Sequence, residues 1–157
     1  MYHKDNPRPA DQPPSRGALN FLLVDDDQLC LFIHRRVLQL TGYCNSARVA
    51  HHGKHAIDIL NKGVSGPEPM PDIILLDLEM PTMGGIAFLQ AFHKLDKQST
   101  ARIAIVLVSS SASERDKKMA MSLGVVQCLS KPLTRESIEP VIELIYQKRS
   151  PRSLTNT

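Results

Sequence analysis

Three carboxylates, a hydroxyl and a lysine stand directly after four short apolar runs in this chain. Asp25 and Asp26 follow Phe21-Leu22-Leu23-Val24, and Asp77 follows Ile73-Ile74-Leu75-Leu76. Ser109 follows the run 103–108, and Lys131-Pro132 follows the run 125–130. Adjacent carboxylates repel one another, and a cation is the natural way to keep them ionised together. Carboxylate oxygens suit a hard ion such as Mg²⁺, which takes one or two of them with waters and phosphate oxygens. An aspartate ionised at neutral pH can attack phosphorus and form an acyl phosphate, an established covalent strategy. A nearby hydroxyl can donate to a phosphoryl oxygen, and a lysine supplies a point charge for it. The set as a whole implies a phosphoryl-accepting site. Each member alone has a plainer reading. Asp25–Asp27 can be an Asp-rich turn capping a helix, with Asp27 the residue assigned to the cap. Asp77 can be a structural partner of a lysine, Ser110 and Ser111 compete with Ser109, and a lone lysine is commonly a solvated charge.

The elements that must bring these residues together are legible as an alternation of apolar runs and helical patterns, the mark of β-α units and a parallel sheet. The first strand is placed at 20–24 and the first helix at 27–41, with Leu29, Phe32, Ile33, Val37 and Leu40 on the inward face. Thr41-Gly42 ends that helix, and a weak second strand around 46–50 lies nearer an edge. A helix from Gly53 to about Lys62 turns Ile57 and Leu60 inward, and the glycines and prolines of 63–71 make an exposed loop. The third strand, 73–76, and the fourth, 103–108, are apolar throughout, as expected when both faces of a sheet are covered. Helices follow at 86–95 and 113–123, the fifth strand at 125–130 and the last helix at 134–148, capped by Thr134 with Glu136 and Ser137. Five strands and five helices in strict alternation give an α/β three-layer sandwich. In such a sheet the carboxyl ends of the strands form the edge where ligands bind.

Composition narrows the class further. The 157 residues are 42% hydrophobic and 22% charged, ordinary for one soluble globular domain. Positions 1–19 form a Pro-rich flexible tail, 20–147 the folded domain and 148–157 a basic flexible tail. The tails carry +1 (positions 1–19) and +3 (positions 147–157), so the +3 total leaves the domain at 3 − 1 − 3 = −1, without the basic face of a nucleic-acid binder. No apolar stretch is long enough to span a membrane, and the N-terminus lacks the apolar core of a signal peptide. Cys30, Cys44 and Cys128 form no C-x-x-C and leave an odd count, which fits a reducing, cytoplasmic compartment. His51-His52-x-x-His55 reads as a polar helix start, His34 as part of the solvated side of the first helix, and Met119 and Met121 as packing, with an adaptable partner-binding surface as the alternative.

At this set of residues the chain resembles a response-regulator receiver domain of two-component signalling, of the stand-alone chemotaxis-regulator kind. The match covers 20–147: apolar run–Asp25-Asp26, apolar run–Asp77-x-x-Met80-Pro81-x-x-Gly84-Gly85, apolar run–Ser109, apolar run–Lys131-Pro132. The resemblance, and not the spacing, supplies the flavodoxin-like strand order 2-1-3-4-5. It implies that Asp77 is the phosphoacceptor, that Asp25 and Asp26 hold Mg²⁺, and that the Glu79 backbone carbonyl completes the coordination. It further implies that Ser109 is the switch hydroxyl and Lys131 the lysine that meets the phosphoryl group. A sensor histidine kinase or histidine phosphotransfer protein would supply the phosphoryl group. The output would be a changed protein–protein contact around the fourth helix, fifth strand and fifth helix, or onward phosphotransfer. Nothing after position 148 makes a helix-turn-helix, so no nucleic-acid or membrane partner is expected, and the protein is expected to signal rather than to turn over a substrate.

One position departs from the family: the aromatic residue of the fifth strand is replaced by Cys128, which cannot report a switch by burying a ring. A pseudo-receiver that binds partners without phosphorylation is one alternative, opposed by the intact acidic set. Another is a phosphatase of the haloacid-dehalogenase type, because Asp25-x-Asp27 follows an apolar strand and Asp25 would then be the nucleophile. That pattern wants Thr or Val where Leu29 stands, and an acidic pair after the lysine where only helix-borne Glu136, Glu139 and Glu143 follow. A dinucleotide site fails because no glycine-rich loop follows the first strand.

Overall fold

The computed structural model describes residues 19–149, so nearly all of both expected tails lies outside the described residues. In chain order the elements are β1 (Leu19–Val24), α1 (Gln28–Thr41), β2 (Cys44–Ala50), α2 (Gly53–Ser65), β3 (Ile73–Leu76), α3 (Gly85–Phe92), α4 (Lys97–Thr100), β4 (Ala104–Ser109), α5 (Glu114–Ser122), β5 (Gln127–Ser130) and α6 (Arg135–Arg149). The strands form one parallel sheet in the order β2-β1-β3-β4-β5, as the resemblance implied.

Alternation along each central strand divides the core into two layers. Phe21 and Leu23 of β1, Ile73 and Leu75 of β3, and Val106 and Val108 of β4 face α1 and α6. Leu22, Val24, Ile74, Leu76, Ile105 and Leu107 face α2, α3 and α5. Both faces are dry, so these strands read as continuous apolar runs rather than alternating ones. Burial of each such side chain contributes about 1.5–3 kcal/mol, and this double-sided packing is what fixes the sheet edge carrying the anchor residues.

Helix ends are set by local chemistry. Asp27 caps α1 by accepting the Leu29 and Cys30 N–H groups, and Gly42, at φ 76°, ends it in the left-handed region that glycine enters freely. His52 caps α2 through a ring nitrogen that accepts the His55 N–H, which bears out the polar helix start. Ser113 and Asp116 form a capping box on α5. Thr134 and Ser137 exchange side-chain hydrogen bonds with each other's N–H at the start of α6.

Several expectations need correction. The inward face of α1 is Leu31, His34, Leu38 and Thr41, whereas Leu29, Phe32 and Leu40 are exposed. Apolar side chains lie all round the helix and the buried stripe itself includes His34 and Thr41, so period alone does not choose the inward face. Packing decides, because Leu31 and Leu38 join Phe21, Leu23, Leu133, Ile138 and Ile142 in one cluster. His34, expected in solvent, lies between them in the helix turn and is only 4% exposed. The second helix continues to Ser65 rather than stopping near Lys62. A separate turn of helix, α4, stands where none was expected, started by Asp96 accepting the Ser99 N–H. Met119 and Met121 are exposed on α5 rather than packed. The last helix runs past 148, because Arg149 reaches back to Asp72: Nη1 lies 2.6 Å from Oδ1, Nη2 donates to the Asp72 carbonyl at 3.0 Å, and it also donates to the Arg102 carbonyl. Lys148 and Arg149 therefore belong to the folded part and not to a flexible tail.

Candidate functional site

The carboxyl ends of β1, β3, β4 and β5 bring the anchors to one edge of the sheet. The Asp25 N–H donates to the Ala50 carbonyl at 3.1 Å, and the Asp77 N–H donates to the Val24 carbonyl at 2.9 Å. Both residues thus continue the parallel ladder for one step past the strands, which fixes the origin of their side chains. Ser109 closes β4, and the Lys131 N–H donates to its carbonyl at 3.0 Å. The peptide bond that follows, Lys131–Pro132, is cis.

Asp25, Asp26 and Asp77 have ligand oxygens all within 4.8 Å of one another. Asp25 and Asp77 are buried and Asp26 is exposed, so the cluster has a floor and an open side. Lys131 crosses from β5 to place Nζ 2.7 Å from Asp25 Oδ2 and 3.4 Å from Asp77 Oδ1. The other Asp25 oxygen accepts the Asp27 N–H at 2.9 Å. Ser109 is buried and its Oγ accepts the Ser111 N–H at 3.4 Å. Ser110 is exposed, and the Ser111 hydroxyl donates to the Glu79 carboxylate at 3.1 Å. The Glu79 side chain thus reaches the β4–α5 loop. The two competing serines are separated by the fold, and Ser109 alone lies at the strand end with the aspartates.

The charges do not balance: Asp25, Asp26 and Asp77 face one lysine. Burial pushes the Asp77 carboxyl above the usual carboxylate range; Asp25 adds to this and Lys131 opposes it. Burial pulls the Lys131 ammonium down, but hydrogen bonding and charge from Asp25, with the charge of Asp77, outweigh it and leave it raised. A hard divalent cation fits this excess of carboxylate oxygen and the open side at Asp26.

Lys131 also borders a cavity of about 330 Å³ with Asp27, Cys30, Ile33, His34, Ser110 and Pro132. Cys30 and His34 escaped sequence reasoning as site-lining residues. The one signal was position: His34 lies three residues after Leu31 and four before Leu38, inside a buried stripe. Burial holds the His34 imidazole below its usual range and pushes the Cys30 thiol up. The three histidines at the start of α2 make no metal cluster among the described residues, since the His52 and His55 Nδ1 atoms accept backbone N–H groups. No helix of the described residues is long and apolar enough to cross a membrane.

A two-component response regulator of Arabidopsis thaliana is 30% identical over 131 residues, covering 83% of this chain and 86% of its own. The transcriptional regulatory protein CpxR of Escherichia coli is 28% identical over 127 residues, which are 81% of this chain and 49% of that protein. The crystal structure of a two-component response regulator from Cytophaga hutchinsonii superposes with a TM-score of 0.76 at 26% identity, covering 84% of this chain and 99% of that one. The family model for the response regulator receiver domain matches residues 21–143, from β1 into α6 and across every anchor residue, and the chain belongs to that family.

Proposed function

We propose that this receiver domain accepts a phosphoryl group on Asp77 and signals through the change that follows. The observation that carries the reading is the meeting of Asp77 with Asp25 and Asp26 within 4.8 Å and with the Lys131 ammonium at 3.4 Å. A nucleophilic carboxylate, a hard-cation site and a fixed positive charge are then adjacent. Phosphoryl transfer asks the protein mainly for positioning and charge neutralisation.

Asp25, Asp26 and Asp77, with the Glu79 carbonyl, would hold Mg²⁺, which neutralises charge on the phosphoryl oxygens when bound. An Asp77 Oδ attacks phosphorus in line, the new O–P bond forms as the N–P bond of a phosphohistidine breaks, and the electron pair leaves with the imidazole. Lys131 faces the oxygens of the transferred group while keeping its bond to Asp25. Ser109 Oγ, held among the described residues by a 3.4 Å contact to the Ser111 N–H, is free to turn to the phosphoryl group. That rotation is the bistable element a switch needs. Its readout runs through the neighbouring face of α5, β5 and α6, where Met119, Met121 and Val126 are exposed and Cys128 replaces the usual ring. The protein acts stoichiometrically, as a phosphoacceptor and not as a turnover catalyst.

The donor is a sensor histidine kinase or a histidine phosphotransfer protein. Leu29 and Phe32, 66% and 68% exposed on the first two turns of α1 just after Asp25 and Asp26, offer it an apolar contact beside the site. Leaving two such side chains in water forgoes about 1.5–3 kcal/mol each, which a docked partner recovers.

Incubation with Mg²⁺ and acetyl phosphate, followed by intact mass, tests the reading. One phosphoryl group, stable in acid and lost in base, is expected on the parent and not on Asp77→Asn. No gain in either, with donor kinase absent or present, would make the domain a pseudo-receiver. Steady phosphate release that needs Asp25 and not Asp77 would make it a phosphatase.

A further inference from the structure

The cavity beside Lys131 is a space that phosphoryl acceptance does not use. Cys30, Ile33 and His34 come to it from α1, Ser110 from the loop after β4, and Lys131 and Pro132 from the turn after β5. At about 330 Å³ it stands at the lower end of small-molecule sites, which are concave, mostly apolar and carry a few placed polar groups. Ile33 and Pro132 are hydrocarbon. Burial pushes the Cys30 thiol up, so it stays protonated and packs as a small hydrophobe. The charges at the rim are already engaged: Asp27 caps α1, and Lys131 Nζ meets Asp25 at 2.7 Å and Asp77 at 3.4 Å.

His34 is not engaged. It is 4% exposed and makes no hydrogen bond, ion pair or ring contact among the described residues. No fully enclosed side-chain nitrogen or oxygen of those residues lacks a partner, so the His34 ring nitrogens open on the cavity rather than being sealed in protein. Burial holds the imidazole below its usual range and so keeps it neutral, with one N–H donor and one acceptor nitrogen. A buried polar group without a protein partner is costly, and a hydrogen-bonding occupant removes that cost.

We propose that this cavity binds a small uncharged organic molecule, a single ring bearing a carboxamide that hydrogen-bonds His34. The ring packs on Cys30, Ile33 and Pro132. An amide is donor and acceptor together, so it meets the imidazole in either tautomer, and the Ser110 hydroxyl lies at the rim for its free end. Ions fit poorly. An anion would face Asp25, Asp26, Asp27 and Asp77 against one lysine that two of them already share. A cation would enter beside the Lys131 ammonium and lose its water among uncharged groups. The lining includes none of the three carboxylates gathered within 4.8 Å, so occupancy is compatible with a metal ion there and does not depend on phosphorylation of Asp77.

Benzamide is the probe, titrated into the isotope-labelled full chain under saturating Mg²⁺ and followed by amide NMR shifts. Saturable binding with Kd of about 1 mM is expected, modest as suits a probe of about nine non-hydrogen atoms. The shifts should concentrate on Cys30, Ile33, His34, Ser110 and Lys131. Benzoate and benzylammonium, the same ring with a charge of either sign, should bind at least about tenfold more weakly. His34→Leu fills the buried volume without a ring nitrogen and should weaken benzamide about tenfold, the loss of one hydrogen bond. Phe32→Ala, on the outward face of α1, should leave it unchanged. Circular dichroism verifies folding. Should His34→Leu not fold, Cys30→Leu, which adds bulk to the cavity wall, takes its place and should weaken benzamide likewise. No saturation below about 10 mM, shifts centred on Leu29 and Phe32, benzoate or benzylammonium binding as well as benzamide, or parent-like binding by the folded variant would overturn the proposal.

Discussion

At the scale of single residues, Asp77 and Lys131 are a coupled pair whose stability effects run in opposite directions. The Asp77 carboxyl is raised in the folded state, chiefly by burial and then by Asp25. A raised acid contributes stability that is present below its unfolded pKa and lost as pH rises through its folded pKa. At neutral pH the charged Asp77 therefore works against the fold. Asp77→Asn should melt higher than the parent at pH 7, by a few degrees, since 1 kcal/mol is worth about 2–4 °C at this chain length. The gap should close on acidification toward pH 4, and thermal melts at both values check it. Mg²⁺ should raise the parent's melting temperature and leave Asp26→Asn nearly unmoved, because that variant loses a ligand on the open side. Lys131→Met, by contrast, leaves Asp25 and Asp77 facing each other without a cation. A cost of about 3 kcal/mol is expected in chelator, partly regained in Mg²⁺ and read by denaturant unfolding.

At the scale of elements, the turn between β3 and α3 controls where Asp77 sits. The Gly85 N–H donates to the Leu78 carbonyl at 2.9 Å, and a Cβ on Gly85 would stand 2.6 Å from the Asp77 carbonyl oxygen and 2.9 Å from the Leu78 Cα. Backbone on both sides leaves no flexible side chain to yield. Gly85→Ala should cost about 2 kcal/mol or more and slow phosphorylation by acetyl phosphate, with the phosphorylation rate as the readout. Helix α1 makes a different prediction, because it keeps apolar side chains on its exposed face as well as its buried one. Leu31 and Leu38 hold it to β1 and α6, while Leu29 and Phe32 remain outside. Phe32→Ala should therefore change stability by less than about 0.5 kcal/mol, as surface substitutions do. It should still weaken phosphotransfer from a cognate kinase or phosphotransfer protein severalfold, with the acetyl phosphate reaction unchanged. Equal loss in both reactions would mean that Phe32 shapes the site and not a docking face.

At the scale of the whole molecule, long-range side-chain contacts tie the ends of the described chain to its centre. Lys131 joins residues 106 apart when it meets Asp25, and Arg149 joins residues 77 apart when it meets Asp72. Asp72 also accepts the Asn20 N–H at 2.7 Å, so one carboxylate holds the start of β1, the approach to β3 and the last turn of α6. Arg149→Ala should lower stability by about 1–2 kcal/mol through lost charged hydrogen bonds, discounted for partial exposure, and should fray the end of α6 in hydrogen exchange. Phosphorylation by acetyl phosphate should be unchanged, since this clamp lies at the opposite edge of the sheet from Asp77.

The sequence by itself determined the strands, their anchors and most helix ends. A strand buried on both faces must be apolar at every position, and Ile73–Leu76 or Phe21–Val24 announces that condition within a few residues. Capping is equally local, because Asp27 and Thr134 bond to groups within three residues of themselves. The strand order was legible only through family resemblance, and the roll of α1 was legible only at Val37, which packs partly buried against the core cluster. Its inward stripe of Leu31, His34, Leu38 and Thr41 is half polar, while Leu29, Phe32 and Leu40 are apolar and exposed. The choice lies with Phe21, Leu133, Ile138 and Ile142, most of them a hundred residues away. The same roll buries His34, sets Cys30 on the cavity wall and leaves Phe32 in solvent. Lys131 was legible as a charge beside the site, but its division between Asp25 and Asp77 depends on how β5 docks along β4. Tertiary structure decided these points because a helix's rotation and a long side chain's partner are fixed by distant packing, which no local pattern encodes.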